Sequence, residues 1–260
     1  MAIDTESALL ATVEKTAYRA SLLLRSATKP EKRAIGTWTV AETANHLSRC
    51  YTSFIDAFEG TFAVAPEDVD SDNAEALEAD PERDLDVLAD RIEAGMHEYL
   101  EAARSVDENE LVDFFTGVLV PASGVTATLL GEVLVHGYDI AKAEGLPWVI
   151  EPEHAALTCQ ALVPVLSYFV DEEAAAGLNA GFEIRLRGGS TTYWYFEDGR
   201  LTVESSPVTP VDCHISAEPA TILLMSYNRI GPTLPALTGK VRVWGRRPWL
   251  AMRLGGVFKT

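Results

Sequence analysis

Gly131-Glu132-Val133-Leu134-Val135-His136-Gly137-Tyr138-Asp139-Ile140-Ala141 is an apolar run interrupted by three ionisable side chains. Read as helix, it projects Glu132 and His136, four residues apart, from one face and about one turn (~5.4 Å) from each other. A second histidine, His46, lies on an earlier segment introduced by Thr39-Val40-Ala41-Glu42. That is a capping-box pattern: the Thr39 hydroxyl accepts from the Glu42 N–H while the Glu42 carboxylate reaches back. If the two helices pack side by side, two imidazoles and a carboxylate converge. Such a trio is the ligand set of a catalytic divalent metal with one position left open.

Working outward, residues 1–147 read as a helical domain. A first helix covers residues 5–24, with Leu9, Val13, Ala17 and Leu24 recurring near helical spacing. The His46 helix runs over residues 39–58, and the acidic, small-residue stretch 65–73 reads as a mobile loop. A third helix spans 84–105, burying Leu85, Leu88, Ile92, Met96 and Leu100. The short, Gly-broken stretch 111–121 reads as a hairpin or extended link. The fourth helix runs from residue 123 to Glu144, where Gly145 suits a left-handed C-cap. Four such helices make a bundle, whose core is where facing helices build metal sites.

Residues 148–260 follow a different pattern. One helix is expected over 151–169, with Pro152 in its first turn and Pro164 as a kink. From Gly181 the period becomes two, giving strands at 182–187, 192–196, 201–204 and 211–215, with Asp198-Gly199 as a hairpin signal. A helix at 217–228, a strand at 240–244 and a closing helix at 248–257 complete an α+β, two-domain chain.

Composition excludes several classes. The 260 residues carry a formal charge of −18, which repels phosphate backbones, so no nucleic-acid partner is expected. No apolar run is long enough to span a membrane, and the N-terminus lacks a signal pattern, so a cytoplasmic protein is expected. Cys50, Cys159 and Cys213 are odd in number and widely spaced, as for reduced, mostly buried thiols. Charge is uneven. Residues 51–110 hold 19 acidic and 3 basic side chains, whereas beyond Glu218 there is no acid but seven Lys and Arg. The acidic run reads as a solvated face; the cationic tail could dock on it or attract an anion.

Spacing alone leaves alternatives open. Glu-x-x-x-His occurs in many helices, and a histidine on a half-apolar face is often a hydrogen-bonded core residue. Asp139, three residues after His136, suits either an outer partner that orients the imidazole or a surface charge paired with Lys142. His97 reads as exposed and His154 as the opening of a helix. Cys213 and His214 alternate in a strand, so they point to opposite faces and are not a thiol–imidazole pair.

Trp38-Thr-Val-Ala-Glu-Thr-Ala-Asn-His46-Leu, followed by Glu132-Val-Leu-Val-His136-Gly-Tyr-Asp139-Ile-Ala, resembles the DinB-like metal-binding bundle. More specifically, it is similar to the mycothiol-dependent maleylpyruvate isomerase family of actinobacteria. The resemblance covers nearly the whole chain. It implies a DinB-like four-helix bundle over 1–147 and, over 148–260, a sterol-carrier-like α/β sandwich with a mainly antiparallel sheet. It also implies a divalent metal, zinc the expected ion, on His46, Glu132 and His136, and mycothiol as thiol cosubstrate. In Ile222-Leu-Leu-Met-Ser-Tyr-Asn-Arg229 the matching catalytic residue is Arg229, whose bland reading is a cation at a helix C-terminus. Residues 59–113 match no motif.

The reading is therefore a monomeric, metal-dependent enzyme that transfers mycothiol sulfur to an electrophilic small molecule. A cis–trans isomerase of the maleylpyruvate type is the first alternative. A non-enzymatic protein binding a metal and a small apolar ligand is the second, and an inactive stress protein with its ligands intact the third.

Overall fold

A computed structural model describes residues 5–65 and 68–258 and divides into two compact units, Met1–Ile150 and Glu151–Thr260. Residues 1–4, Pro66 and Glu67 of the acidic stretch, and Lys259 of the cationic tail lie outside the described residues.

In the first unit, α1 (Thr5–Ser26), α2 (Val40–Glu59), α4 (Leu85–Arg104) and α5 (Ala122–Glu144) form the bundle, and α3 (Val69–Ala79) is a short addition. α1 and α2 each pack against both α4 and α5. The Thr39–Glu42 capping box is formed in full, and Gly60 in the left-handed conformation ends α2. At α4 the Asp84 carboxylate caps the N–H groups of Asp86 and Val87. Leu88, Ile92 and Met96 are fully buried, and Leu100 nearly so.

α5 is the central element, buried on nearly every side from Ala122 to Glu144, as expected of a helix apolar all round. Its end turns at Gly145, φ 77°, whose N–H bonds Ala141 O. Antiparallel β3 (Leu111–Asp113) and β4 (Leu119–Pro121) form the expected hairpin. A second, smaller hairpin pairs β1 (Arg33–Ile35) with β2 (Trp38–Thr39).

The stretch 65–73 is not all loop. From Val69 it is helix α3, in which only Leu77 is buried. With a single buried side chain no apolar stripe is visible, and Arg83 and Arg91 tie down its end at Leu77 O and Asp80.

The second unit is built on a five-stranded sheet of order β7-β6-β5-β8-β9. The strands are β5 (Ala180–Leu186), β6 (Thr191–Glu197), β7 (Arg200–Glu204), β8 (Cys213–Ala217) and β9 (Val241–Gly245). All pairings are antiparallel except β5 with β8. The α+β class thus holds, with a helical first unit and a mainly antiparallel sheet in the second. Phe182, Ile184, Cys213 and Ile215 form a core with Leu250 and Leu254 of α10 (Leu250–Leu254). His214 points the other way, stacked on Trp244 at 5.3 Å between centroids and 3.2 Å from Glu183.

Several expected boundaries move. The helix at 151–169 is two pieces, α6 (Pro152–Ala161) and a 3-10 helix, Val163–Phe169. Pro164 has no N–H to continue the α ladder, so it ends the α-helix rather than kinking it. The strand expected at 211–215 starts at Cys213, because the buried Asp212 carboxylate is held by the Gly181 N–H and Arg246. The helix expected at 217–228 is α8 (Pro219–Ser226), and the closing helix shortens to α10. Short helices α7 (Glu172–Ala175) and α9 (Thr233–Leu237) had no distinct signal. The cationic tail is partnered inside its own unit: Arg246 and Arg247 face Asp212, and Lys240 faces Glu218. Among the described residues, no helix is long and apolar enough to cross a membrane.

Candidate metal centre

Packing of α2 against α5 brings His46, Glu132 and His136 to one point. Glu132 Oε2 lies 3.3 Å from His46 Nε2 and 3.1 Å from His136 Nε2, and one ligand atom from each residue lies within 4.8 Å of the others. The side chains of His46, Glu132 and His136 are 11, 17 and 8% exposed, so water screens them little. The two imidazole rings meet edge to face at 5.0 Å.

His136 Nδ1 is 3.2 Å from Asp139 Oδ2. This is an ion contact between two nearly buried side chains. The opposite ring nitrogen, Nε2, faces Glu132. Asp139 thus lies against His136, and Lys142 lies over the Tyr138 ring.

Burial alone would push the charged forms out, yet the mutual contacts win. Glu132 is desolvated, which raises its pKa, but the adjacent His136 and His46 imidazoles hold it well below the usual carboxylate range. Burial likewise opposes the charging of His46, while Cys50 and Glu132 raise its pKa to about 9. His136 is also opposed by burial and is raised to about 9 by Asp139 and Glu132. Placing such groups in an otherwise apolar helix costs several kcal/mol per ion before pairing. Apolar residues of similar volume would serve the bundle at least as well, so the cluster is poorly explained by stability.

The trio fits a divalent ion. Zinc with ligands at 2.0–2.2 Å in tetrahedral geometry needs neighbouring donors about 3.3 Å apart, close to the 3.3 and 3.1 Å edges here. Two imidazole nitrogens and one carboxylate oxygen form a recognised catalytic donor set that leaves one position for a reactant.

Two residues beside the trio were not singled out as site residues by the sequence reading. The Trp38 ring, on β2, stands 5.1 Å from the His46 ring and 6.5 Å from that of His136. Cys50 Sγ is 3.5 Å from His46 Nε2. A signal for Cys50 was present in its spacing, four residues after His46 on the same helix.

Arg229 belongs to the second unit and lies three residues beyond α8, not at its end. Asn228 takes the left-handed conformation at φ 57°, with Asn228 N–H bonding Met225 O and Arg229 N–H bonding Leu224 O. That pair of bonds is a Schellman motif, which pins the Arg229 backbone. Its guanidinium bonds Tyr227 O. Among the other histidines, His97 is exposed beside Tyr18, and His154 lies in the first turn of α6. Cys50, Cys159 and Cys213 are all free thiols.

Residues 33–141 match the family model described as "Mycothiol maleylpyruvate isomerase N-terminal domain", and residues 167–259 match that of the "SCP-2 sterol transfer family". A crystal structure of the mycothiol-dependent maleylpyruvate isomerase is similar to this chain at 15% identity, covering 92% of each chain with a TM-score of 0.53. A histidine-to-alanine mutant of that isomerase gives 14% identity, 92% coverage of each chain and 0.55. At such identities the likeness is one of fold. A stereoselective inverting sec-alkylsulfatase from Pseudomonas sp. matches at 14% identity over 54% of this chain, with a TM-score of 0.33. The chain spans only 25% of that sulfatase, and the match carries no argument. No curated protein sequence matches the chain.

Proposed function

We propose that this chain, whose residues 33–141 belong to the mycothiol maleylpyruvate isomerase N-terminal domain family and whose residues 167–259 belong to the SCP-2 family, is a mycothiol-dependent metalloenzyme. His46, Glu132 and His136 hold the divalent ion, zinc by ligand chemistry, and the reaction is transfer of the mycothiol sulfur to an electrophilic small molecule. The observation that carries this reading is the convergence of three donors, each less than a fifth exposed, from two helices on one point.

Each residue has a task that its surroundings support. The ion supplies deprotonation of a coordinated thiol, whose free pKa is near 8.5, at neutral pH. Glu132 contributes the negative charge, kept ionised by the imidazoles on either side. Asp139 holds the His136 ring so that Nε2 faces inward. Trp38 covers the imidazoles and limits water. Arg229, with planar paired donors and a pinned backbone, is the proposed group for a substrate carboxylate. In the transfer, sulfur bonds the electrophilic carbon and the displaced group leaves with its electron pair.

A second reading is cis–trans isomerisation, favoured by the family description and by the isomerase fold. There the sulfur adds to an activated double bond, the bond rotates, and the sulfur departs. Thiol bookkeeping separates the two, since transfer consumes mycothiol stoichiometrically and isomerisation returns it.

The test couples metal analysis to turnover of a bimane or dinitrophenyl electrophile, and of maleylpyruvate, with mycothiol. Wild-type protein should hold one ion per chain and turn over one of these only when mycothiol is present. His46→Ala should lose ion and turnover while keeping its helical circular dichroism; Arg229→Ala should keep the ion and lose turnover. Retention of the ion in folded His46→Ala would overturn the site, and unchanged turnover in Arg229→Ala would remove that residue from the mechanism.

A further inference from the structure

We propose that the β9 edge of the second unit's sheet is a self-complementary interface between two copies of this chain. The copies pair antiparallel about Val243, in place of the monomer expected from the sequence. The two edges of that sheet are finished differently. β7 lies against the 3-10 helix Val163–Phe169. β9 is exposed from Arg242 to Gly245, with Val243 38% and Trp244 41% exposed. An uncovered edge strand is a template for another strand.

β8 uses only half of the β9 backbone. The Glu218 N–H donates to Lys240 O, and residues 218 and 240 continue the β8–β9 register. Positions 240, 242 and 244 are therefore the hydrogen-bonded ones, and Val241 and Val243 turn their N–H and C=O groups away from β8. Among the described residues neither makes a backbone bond elsewhere.

The side chains select the partner. Trp244 stacks on His214 at 5.3 Å with the rings 6° apart, and Arg185, on β5 two strands inward, also approaches the indole, at 6.0 Å. Since β8 lies inward of β9, the opposite indole face points off the edge. With Val243 opposite the partner's Val243, Arg242 falls opposite the partner's Trp244, and by symmetry the reverse. A guanidinium then covers each free indole face. Sliding by two residues either way sets Arg242 against the partner's Arg242 or the partner's Arg246, a like-charge contact. In the favoured register Lys240 faces the partner's Arg246, but these cations are already paired with Glu218 and Asp212. An unrelated extended peptide would satisfy the backbone without this side-chain match. The two-fold axis at Val243 makes the interface isologous. A five-residue edge is small against the area of a stable dimer, so the pairing is weak and favoured at high concentration.

Sedimentation velocity of the full chain over the micromolar to millimolar range should show a concentration-dependent monomer–dimer equilibrium. Val243→Pro removes the outward N–H without touching the β8 ladder and should be monomeric throughout, with unchanged circular dichroism. Arg242→Glu alters an exposed side chain. Losing two cation–π pairs should weaken the dimer about five- to thirtyfold. Adding Trp244→Lys to Arg242→Glu sets opposite charges across the axis and should restore it. A wild type that stays monomeric overturns the proposal, as does a dimer that survives both single substitutions in folded protein. If Val243→Pro unfolds, Arg242→Glu and its rescue decide; a double variant no tighter than Arg242→Glu overturns the pairing about Val243.

Discussion

Replacing Gly137 by alanine isolates how α5 is held in place next to His136. A Cβ built at Gly137 would lie 2.3, 2.5 and 2.8 Å from Cζ2, Cε2 and Cη2 of Trp148. These are rigid ring atoms at less than contact distance, so the indole must move. It is well anchored: Nε1 donates to Leu134 O at 2.9 Å, and the Arg19 guanidinium sits 4.5 Å over its ring. Overpacking costs about 1–3 kcal/mol, the indole hydrogen bond about 1 kcal/mol and the cation–π contact about 0.5–1 kcal/mol. Against this, alanine is favoured over glycine within a helix by about 1 kcal/mol. The balance is a net loss of about 1.5–4 kcal/mol, so packing beats propensity.

Urea unfolding of the full chain reads this directly, followed by tryptophan fluorescence and far-ultraviolet circular dichroism. Trp38 and Trp148 are the two tryptophans of the first unit, and transitions of the two units need separate fits. The decisive control is Gly137→Ala in a Trp148→Ala background. With the ring gone, only propensity remains, and the same substitution should stabilise by about 1 kcal/mol. A neutral or stabilising Gly137→Ala in the native background, or an equal loss in both backgrounds, refutes the packing argument.

The remaining predictions concern the ionisable cluster. In metal-free protein the His46 and His136 pKa values are raised from 6.5 to about 9, so their stabilisation is complete below pH 6.5 and is lost as pH climbs through about 9. Glu132 is lowered from 4.5, so its contribution is present above pH 4.5 and lost as acid titrates it; urea midpoints of apo protein should therefore peak between these limits, and a profile rising from pH 7 to 9 contradicts the assignment. Metal must displace the imidazole protons, so zinc affinity should rise up to about tenfold per pH unit for each proton displaced as pH approaches 9; competition titrations that are flat from pH 6.5 to 8.5 would contradict it. Asp139→Asn should weaken zinc binding by about 10–100-fold with little loss of helix, and unchanged affinity would show that the Asp139 contact does not orient the ring.

Local chemistry was legible where one interaction decides the structure. The Thr39–Glu42 box marks the start of α2 because two side chains satisfy its free N–H groups reciprocally. Asp198 and Gly199, with φ 48° and 83°, form the hairpin turn that their residue types favour. What escaped depends on distant partners or on weak packing. α3 buries only Leu77, and β1–β2 is too short to display a period. The parallel pairing of β5 with β8 is a matter of topology, which alternation within either strand does not encode. At Arg229, residue type suggested a helix end, but only the left-handed Asn228 displays the two-bond cap that places it beyond α8.

The site divides along the same line. Glu132-x-x-x-His136 drew attention because both residues are polar in an apolar helix, and burial makes such groups costly unless they meet partners. His46-x-x-x-Cys50 has the same spacing, and in the folded chain Cys50 Sγ lies 3.5 Å from His46 Nε2. Its sulfur nevertheless reads as core, because cysteine is among the most commonly buried side chains. Polarity, not spacing, carried the signal; a polar contact made by a side chain that is also hydrophobic is invisible to a search for misplaced polar groups. What exposes it is the side-chain placement along α2 itself, which puts Sγ against the imidazole nitrogen one turn earlier instead of a methyl group.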